Sequence, residues 1–187
     1  MRTREFCIAA FALLALAGAT RALAQGAYGI GRTATPAEIA GWNIDIDRDG
    51  NNLPPGRGSV SRGHEVFDQQ CASCHGAKGE GGLGDRLVGG QGTIATPKPV
   101  RTVGSFWPYA PTLFDYIRRA MPQNAPQSLD NNDVYAVSAY ILNLNGLLPA
   151  DATLDAKSLS AIKMPNRSMF VSDPRPDVKN PACMIGC

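Results

Sequence analysis

Five consecutive residues, Cys71-Ala72-Ser73-Cys74-His75, carry the most specific chemistry in this 187-residue chain. Two thiols separated by two residues, with an imidazole directly after them, suit covalent attachment of a c-type haem. Each thiol adds to one vinyl group at the porphyrin edge, and the tethered histidine is then delivered to the iron. Other readings of the pair fail on its surroundings. A zinc site needs about four ligands, and outside this motif the chain offers one histidine, His64, and cysteines only near its ends. A redox dithiol of the thioredoxin kind is expected within a βαβ pattern, which is absent around Cys71. The expectation is one covalent haem c held by Cys71, Cys74 and His75.

A haem with one protein ligand binds small molecules or does chemistry, whereas one with two carries electrons, so the next question is the sixth ligand. His64 stands only seven residues before Cys71 on the same expected helix and cannot easily reach the far face. Past the leader the methionines are Met121, Met164, Met169 and Met184. Met121 is favoured because it follows a helix, precedes Pro122 and sits just before the last core helix. Met164-Pro165 repeats the dipeptide beyond that helix and is the second choice, and a gap-filling core role is the plain alternative for Met121. Arg101, Trp107 and Tyr109 are candidates to bind the haem propionates, since buried carboxylates need donors. Packing or surface roles would accommodate the same three residues.

These groups must be positioned by helices. Ser59 or Ser61 caps a helix that leads into the haem motif, with Gly63, Val66 and Phe67 on one face at the i, i+3, i+4 spacing. Residues 76–105 are glycine-rich, which suits backbone that must pass close to a flat porphyrin. No strand precedes these glycines and no lysine-serine pair follows them, so a phosphate loop is excluded. A helix is expected over Pro111–Ala120, with Leu113, Tyr116 and Ile117 on its buried side, ending before Met121-Pro122. Ser128 or Asp130 caps an amphipathic helix over Asn131–Leu144 whose Val134, Val137, Tyr140 and Ile141 should meet the Gly63–Phe67 face. Short helices are expected at Pro36–Ala40, capped by Thr35, and near Asp155–Ile162. The stretch Asp45–Gly50 begins like a calcium loop, but its twelfth position is Gly56 rather than a bidentate glutamate, so it reads as a solvated turn.

Residues 1–24 read as a secretory signal: Arg2 and Arg4, an apolar run from Ile8 to Ala19, then Ala22-Leu23-Ala24 before Gln25. The run is too short to span a membrane, and export to a bacterial periplasm is expected. Removing it takes away three arginines and one glutamate, leaving 15 basic against 15 acidic residues. Nothing in that balance suggests a nucleic-acid binder, which would call for a clustered basic surface. In an oxidising compartment Cys183 and Cys187 are expected to form a short terminal disulfide, the alternative being a bond to a partner's cysteine. The domain reading is a signal peptide at 1–24, an N-terminal extension at 25–59, a haem domain at 60–146 and a C-terminal extension at 147–187.

Residues 60–146 resemble the class I cytochromes c: an N-terminal helix, Cys-X-X-Cys-His, a methionine loop and a packed C-terminal helix. More narrowly, Thr102-Val-Gly-Ser-Phe-Trp-Pro-Tyr-Ala110, Asp115-Tyr-Ile-Arg-Arg-Ala-Met-Pro122 and Ala125-Pro-Gln-Ser128 resemble the SoxD-type cytochrome subunit of the Sox sulfur-oxidation dehydrogenase. So do Asn43-Ile-Asp-Ile46, Met164-Pro-Asn-Arg167 and Asp173-Pro-Arg-Pro-Asp177. The resemblance implies an all-α class I cytochrome c fold with irregular extensions at both ends. It also implies an electron-transfer subunit, not itself an enzyme. Its partners would be a molybdenum-containing dehydrogenase subunit that oxidises sulfite or a protein-bound sulfane sulfur, and a downstream cytochrome or oxidase. Longer relatives carry a second haem domain, whereas this chain has a single Cys-X-X-Cys-His. A free electron shuttle is the alternative, and it leaves both extensions unexplained. A haem enzyme or gas sensor would require an open iron.

Overall fold

The computed structural model describes residues 30–172. They fall into two compact units, one ending at Asn43 and one beginning at Ile44. The expected signal peptide, the Cys183/Cys187 pair and the stretch 173–177 lie outside the described residues.

In the first unit, helix α1 (Pro36–Trp42) is set by its own end. Pro36 occupies the first turn, where its missing N–H costs nothing. The Glu38 N–H donates to Thr35 Oγ1 (3.3 Å) while the Thr35 N–H donates to the Glu38 carboxylate (2.8 Å), a reciprocal cap. Arg32 clamps the same carboxylate at 2.9 and 2.5 Å. That guanidinium first, and the Thr35 donors second, hold the Glu38 carboxyl down at about 2. Every residue of α1 is exposed.

The second unit is mostly helical. Strand β1 (Arg57–Ser59) runs into α2 (Val60–Gln70), followed by the one-turn α3 (Ala72–His75), then α4 (Ala110–Ala120) and α5 (Asn131–Leu144). The chain returns through β2 (Thr153–Asp155), antiparallel to β1 with Gly58 opposite Leu154, and into α6 (Ala156–Ser160). Caps fix the helix starts: Ser59 Oγ accepts the Arg62 N–H at 3.2 Å, and Asp130 Oδ1 accepts the Asp133 N–H at 2.8 Å.

The expected pairing of α2 with α5 is present. A Cβ placed on Gly63 would overlap the Ala136 carbonyl and come within 2.8 Å of Tyr140 Cβ, so only glycine permits this approach. Gly58 meets the Ala136 backbone in the same way. Phe67 then packs edge-on to Tyr140 at 5.3 Å, and Arg62 spans the two helices with 2.8 and 3.0 Å bonds to Asp133.

Two expectations need correction. Helix α5 is not amphipathic along its middle: every residue from Val134 to Leu142 is buried. It is covered by α2, by both strands and by α4, and a helix surrounded on all sides has no solvent face. In α4 the buried side is Leu113, Phe114 and Ile117, while Tyr116 is 47 % exposed. Phe114 turns inward against Tyr135, with ring centroids 4.4 Å apart.

Segments on either side of the helices belong to the same unit. Ile46 is buried, and its N–H donates at 2.9 Å to Asp115, which also pairs with Arg119. The Tyr135 hydroxyl donates to the Pro54 carbonyl at 2.9 Å, and burial raises that phenol to about 12. The Asp45–Gly50 stretch is a hydrogen-bonded turn: Asp47 accepts from the Asp49 N–H and from both the backbone and the side chain of Asn51. From the C-terminal side Leu154, Leu159 and Met164 enter the core. Among the described residues no helix is long and apolar enough to cross a membrane.

Candidate haem site

Helix α2 ends where the site begins. The Cys71 N–H still donates to Phe67 at 2.9 Å, and the chain then tightens into α3, with the Cys74 and His75 N–H groups donating to the Cys71 carbonyl at 3.1 and 3.0 Å. Positions three and four apart share a helix face, so this turn gathers Cys71, Cys74 and His75. Both cysteines are free thiols, Cys71 partly buried and Cys74 exposed. Burial first, and the neighbouring Cys74 second, push the Cys71 thiol up to about 11. Gly76, at φ +81°, ends the turn in a conformation that a side chain rarely adopts.

The glycine-rich segment then folds back over His75. Its Nδ1 lies 2.6 Å from the Asp85 carbonyl, its own carbonyl accepts the Gly81 N–H at 2.7 Å, and the Cys74 carbonyl accepts the Gly84 N–H at 2.8 Å. A carbonyl partner requires the proton on Nδ1, which leaves the Nε2 lone pair free for a metal. Gly84 lies flat against the imidazole: a Cβ there would stand 2.9 Å from Cε1 and 3.1 Å from Nδ1. The far end of the loop is tied down by Asn145 at the end of α5. Its Nδ2 donates to the Leu87 carbonyl at 3.1 Å and its Oδ1 accepts the Gly89 N–H at 3.3 Å. Two free thiols, an oriented imidazole with one nitrogen unengaged, and glycine backbone held close to that ring fit a covalently attached haem.

Met121 caps the end of α4, with its N–H on the Ile117 carbonyl at 3.0 Å and a cis bond to Pro122. It is partly buried and packs against the same hydrophobic cluster as Cys71, Leu87 and Trp107. Met164, the second choice by sequence, is 3 % exposed inside that cluster. His64 is exposed, with Nε2 3.4 Å from Asp68 and its ring 4.9 Å from Tyr140.

The three candidate propionate donors have separate surroundings. Trp107 packs edge-on to Tyr116 at 5.8 Å. Arg101 is exposed and lies over the Phe106 ring at 5.4 Å. Tyr109 carries two guanidinium groups against its ring, Arg167 at 5.0 Å and Arg48 at 6.0 Å. Asn166 anchors this side by donating to the Phe106 carbonyl at 2.6 Å. Sequence reasoning placed the glycine loop at the site, but it did not single out Gly84, Asp85 or Asn145. One glycine among many and one backbone carbonyl leave no individual mark in a sequence.

Comparison with known proteins agrees with this geometry. The family described as cytochrome c oxidase, cbb3-type, subunit III matches residues 58–141. A crystal structure of the sulfane dehydrogenase SoxCD from Paracoccus pantotrophus is similar to the chain at 39 % identity, covering 86 % of this chain and 82 % of that one, with a TM-score of 0.74. Among curated proteins none matches. The helical unit thus has the all-α class I cytochrome c fold expected from the sequence, with the small β1–β2 sheet added, and a cytochrome c domain of this kind binds haem c.

Proposed function

The chain belongs to the SoxD-type cytochromes, and we propose that it is the electron-accepting subunit of a molybdenum-containing sulfite or sulfane-sulfur dehydrogenase in the periplasm. Family membership makes it an electron-transfer cytochrome of sulfur oxidation. The subunit role is the further step, and one observation carries it. The similarity to the sulfane dehydrogenase covers 86 % of the chain, well beyond the haem-domain match at 58–141. A free shuttle would need only the latter.

In this reading one haem, attached through the Cys71 and Cys74 thiols, supplies a one-electron couple. His75, oriented by the Asp85 carbonyl at Nδ1 and confined by Gly84, would hold the iron through Nε2. Met121, at the end of α4, would supply a thioether as the second iron ligand, and such a ligand would raise the potential and close the iron to substrate. Trp107, Arg101 and Tyr109 would be the donors to the haem propionates. The chain itself performs no substrate chemistry. Electrons arrive singly from the molybdenum subunit and leave to a downstream cytochrome or oxidase. The protein reaches the periplasm through cleavage after Ala24.

The test is purification of the tagged full-length protein from its native periplasm, with metal analysis of what accompanies it. Stoichiometric molybdenum is the expected result. A lone monomer reduced equally well by many unrelated donors would refute the subunit role. Oxidised protein should show a near-infrared methionine-to-iron band that disappears in Met121→Ala; its survival would reassign the sixth ligand.

A further inference from the structure

Asp85, whose carbonyl lies 2.6 Å from His75 Nδ1, is strung between two anchors. On its N-terminal side the Gly84 N–H donates to the Cys74 carbonyl at 2.8 Å, a bond within the haem motif's own turn. On its C-terminal side the Leu87 N–H donates to the Gly79 carbonyl at 2.9 Å. The Leu87 carbonyl in turn accepts the Val103 N–H at 3.3 Å and the Asn145 side chain at 3.1 Å. Gly79 and Val103 lie in loops. Of these partners only Asn145 continues a packed helix, its own N–H still donating to Ile141 of α5 at 3.2 Å.

The Asn145 amide is fully engaged. Nδ2 donates to the Leu87 and Ile141 carbonyls at 3.1 and 2.9 Å, and Oδ1 accepts the Gly89 N–H and Gln91 Nε2 at 3.3 and 3.4 Å. That uses both donors and both lone pairs of a primary amide. The helix end does not itself call for asparagine. At a helix C-terminus asparagine serves as the left-handed residue that closes the last turn. Asn145 has φ −89°, and Gly146, at φ +72°, takes the left-handed conformation instead. The side chain is buried and Gly104 lies hard against it, since a Cβ there would come within 2.3 Å of Oδ1. This residue type therefore supplies a fixed cross-link from the end of α5 to the loop two residues beyond Asp85.

We propose that Asn145 is a positioning residue for the iron ligand: by holding Leu87 and Gly89 it sets the hydrogen bond between Asp85 and His75, and through it the reduction potential. The inference rests on His75 as an iron ligand and not on the subunit role. A hydrogen bond donated from Nδ1 makes Nε2 a more basic ligand, and a more basic ligand favours the higher charge of ferric iron. Releasing the loop weakens that bond, so the potential should rise. Loss of a methionine ligand acts in the opposite direction, because histidine–methionine ligation raises the potential. The sign of the shift therefore identifies which side of the iron has been disturbed.

The test compares the full-length wild-type holoprotein with Asn145→Ala, Gly104→Ala and Ser138→Ala. The first removes the amide, and the second displaces it with its chemistry intact. Ser138→Ala is the control: it deletes a buried hydroxyl of α5 that donates to the Val134 carbonyl at 2.7 Å, within the helix itself. In Asn145→Ala and Gly104→Ala the one-electron equilibrium should shift toward reduced haem by about threefold to tenfold, the latter being about 59 mV. The iron-shifted ring protons of His75 should move, and the near-infrared methionine band should stay. Ser138→Ala should lose stability while keeping the wild-type potential and ring signals. If Asn145→Ala, or Gly104→Ala where the former does not fold, loses stability but keeps the wild-type potential and His75 signals, Asn145 is a structural link only and the proposal is overturned. A fall in potential or loss of the methionine band overturns it as well. A wild type without iron-shifted imidazole signals overturns the ligation by His75 together with the proposal.

Discussion

Replacing Gly63 by alanine tests the helix crossing that supports the haem motif. In a solvent-facing helix this change stabilises, by about 0.5–1 kcal/mol, because alanine loses less backbone entropy. Here the new Cβ would stand 2.5 Å from the Ala136 carbonyl carbon and 2.8 Å from Tyr140 Cβ. Carbon atoms rest at about 3.5–4.0 Å, so α2 and α5 must part by about 1 Å. The obstacle is backbone and cannot rotate away, which puts the change at the upper end of the roughly 1–3 kcal/mol typical of overpacking. After the propensity gain is subtracted, the net loss is about 2 kcal/mol. In a unit of this size that lowers the melting temperature by about 6–10 °C. Guanidinium unfolding of the oxidised holoprotein, followed by both Soret absorbance and tryptophan fluorescence, measures it. Gly41→Ala, where nothing lies within 4 Å of the new Cβ, is the control and should not destabilise. A Gly63→Ala protein as stable as wild type, or more so, would refute the crossing.

Gly84→Ala should disturb His75 rather than the fold, because the added methyl would meet the imidazole at 2.9 Å. The expected outcome is a changed reduction potential and displaced paramagnetic ring-proton signals with little loss of stability; unchanged signals would separate Gly84 from the ring. The Glu38 carboxyl, lowered from 4.5 to about 2 chiefly by Arg32, makes α1 sensitive to acid. A lowered folded pKa contributes stability that is present above about 4.5 and is lost as pH falls toward 2. Exchange of the α1 amides in the free protein should therefore accelerate, relative to the intrinsic rate, across that window. Glu38→Gln should remove the pH dependence, and an α1 unaffected between pH 5 and about 2 would show that the clamp is not what orders it.

How far the sequence carried depends on how local each signal is. The Cys71–His75 motif, the caps at Ser59 and Asp130 and the glycine notch at Gly63 are written within a few residues of the features they specify. The strands are not: β1 and β2 have three residues each and pair Arg57 with Asp155 across almost the whole described unit, so no periodicity could accumulate. Tyr116 is expected on the buried side of α4 because its spacing from Leu113 fits one face of a helix, and only the position of Tyr135 draws Phe114 inward instead. Periodicity also understated α5, since Ala136, Ser138 and Ala139 are small enough to be buried without looking apolar.

The two Met-Pro dipeptides show the same limit at the site. Met121-Pro122 and Met164-Pro165 are equivalent as sequence, and chain order alone favoured the first. Packing separates them on independent grounds. At 3 % exposure Met164 is enclosed by the cluster that holds Leu154 and Leu159, and a thioether surrounded by core carbon has no face left for a metal. Met121, partly buried at the end of α4, packs against that cluster, as Cys71 and Trp107 do. A ligand must be both packed, so that it holds its direction, and incompletely covered, so that it has something to bind. Met121 fits both conditions better than Met164, which supports the ligand role proposed for it. Local sequence encodes the residue type and the turn, whereas the burial of each methionine is set by the segments packed around it.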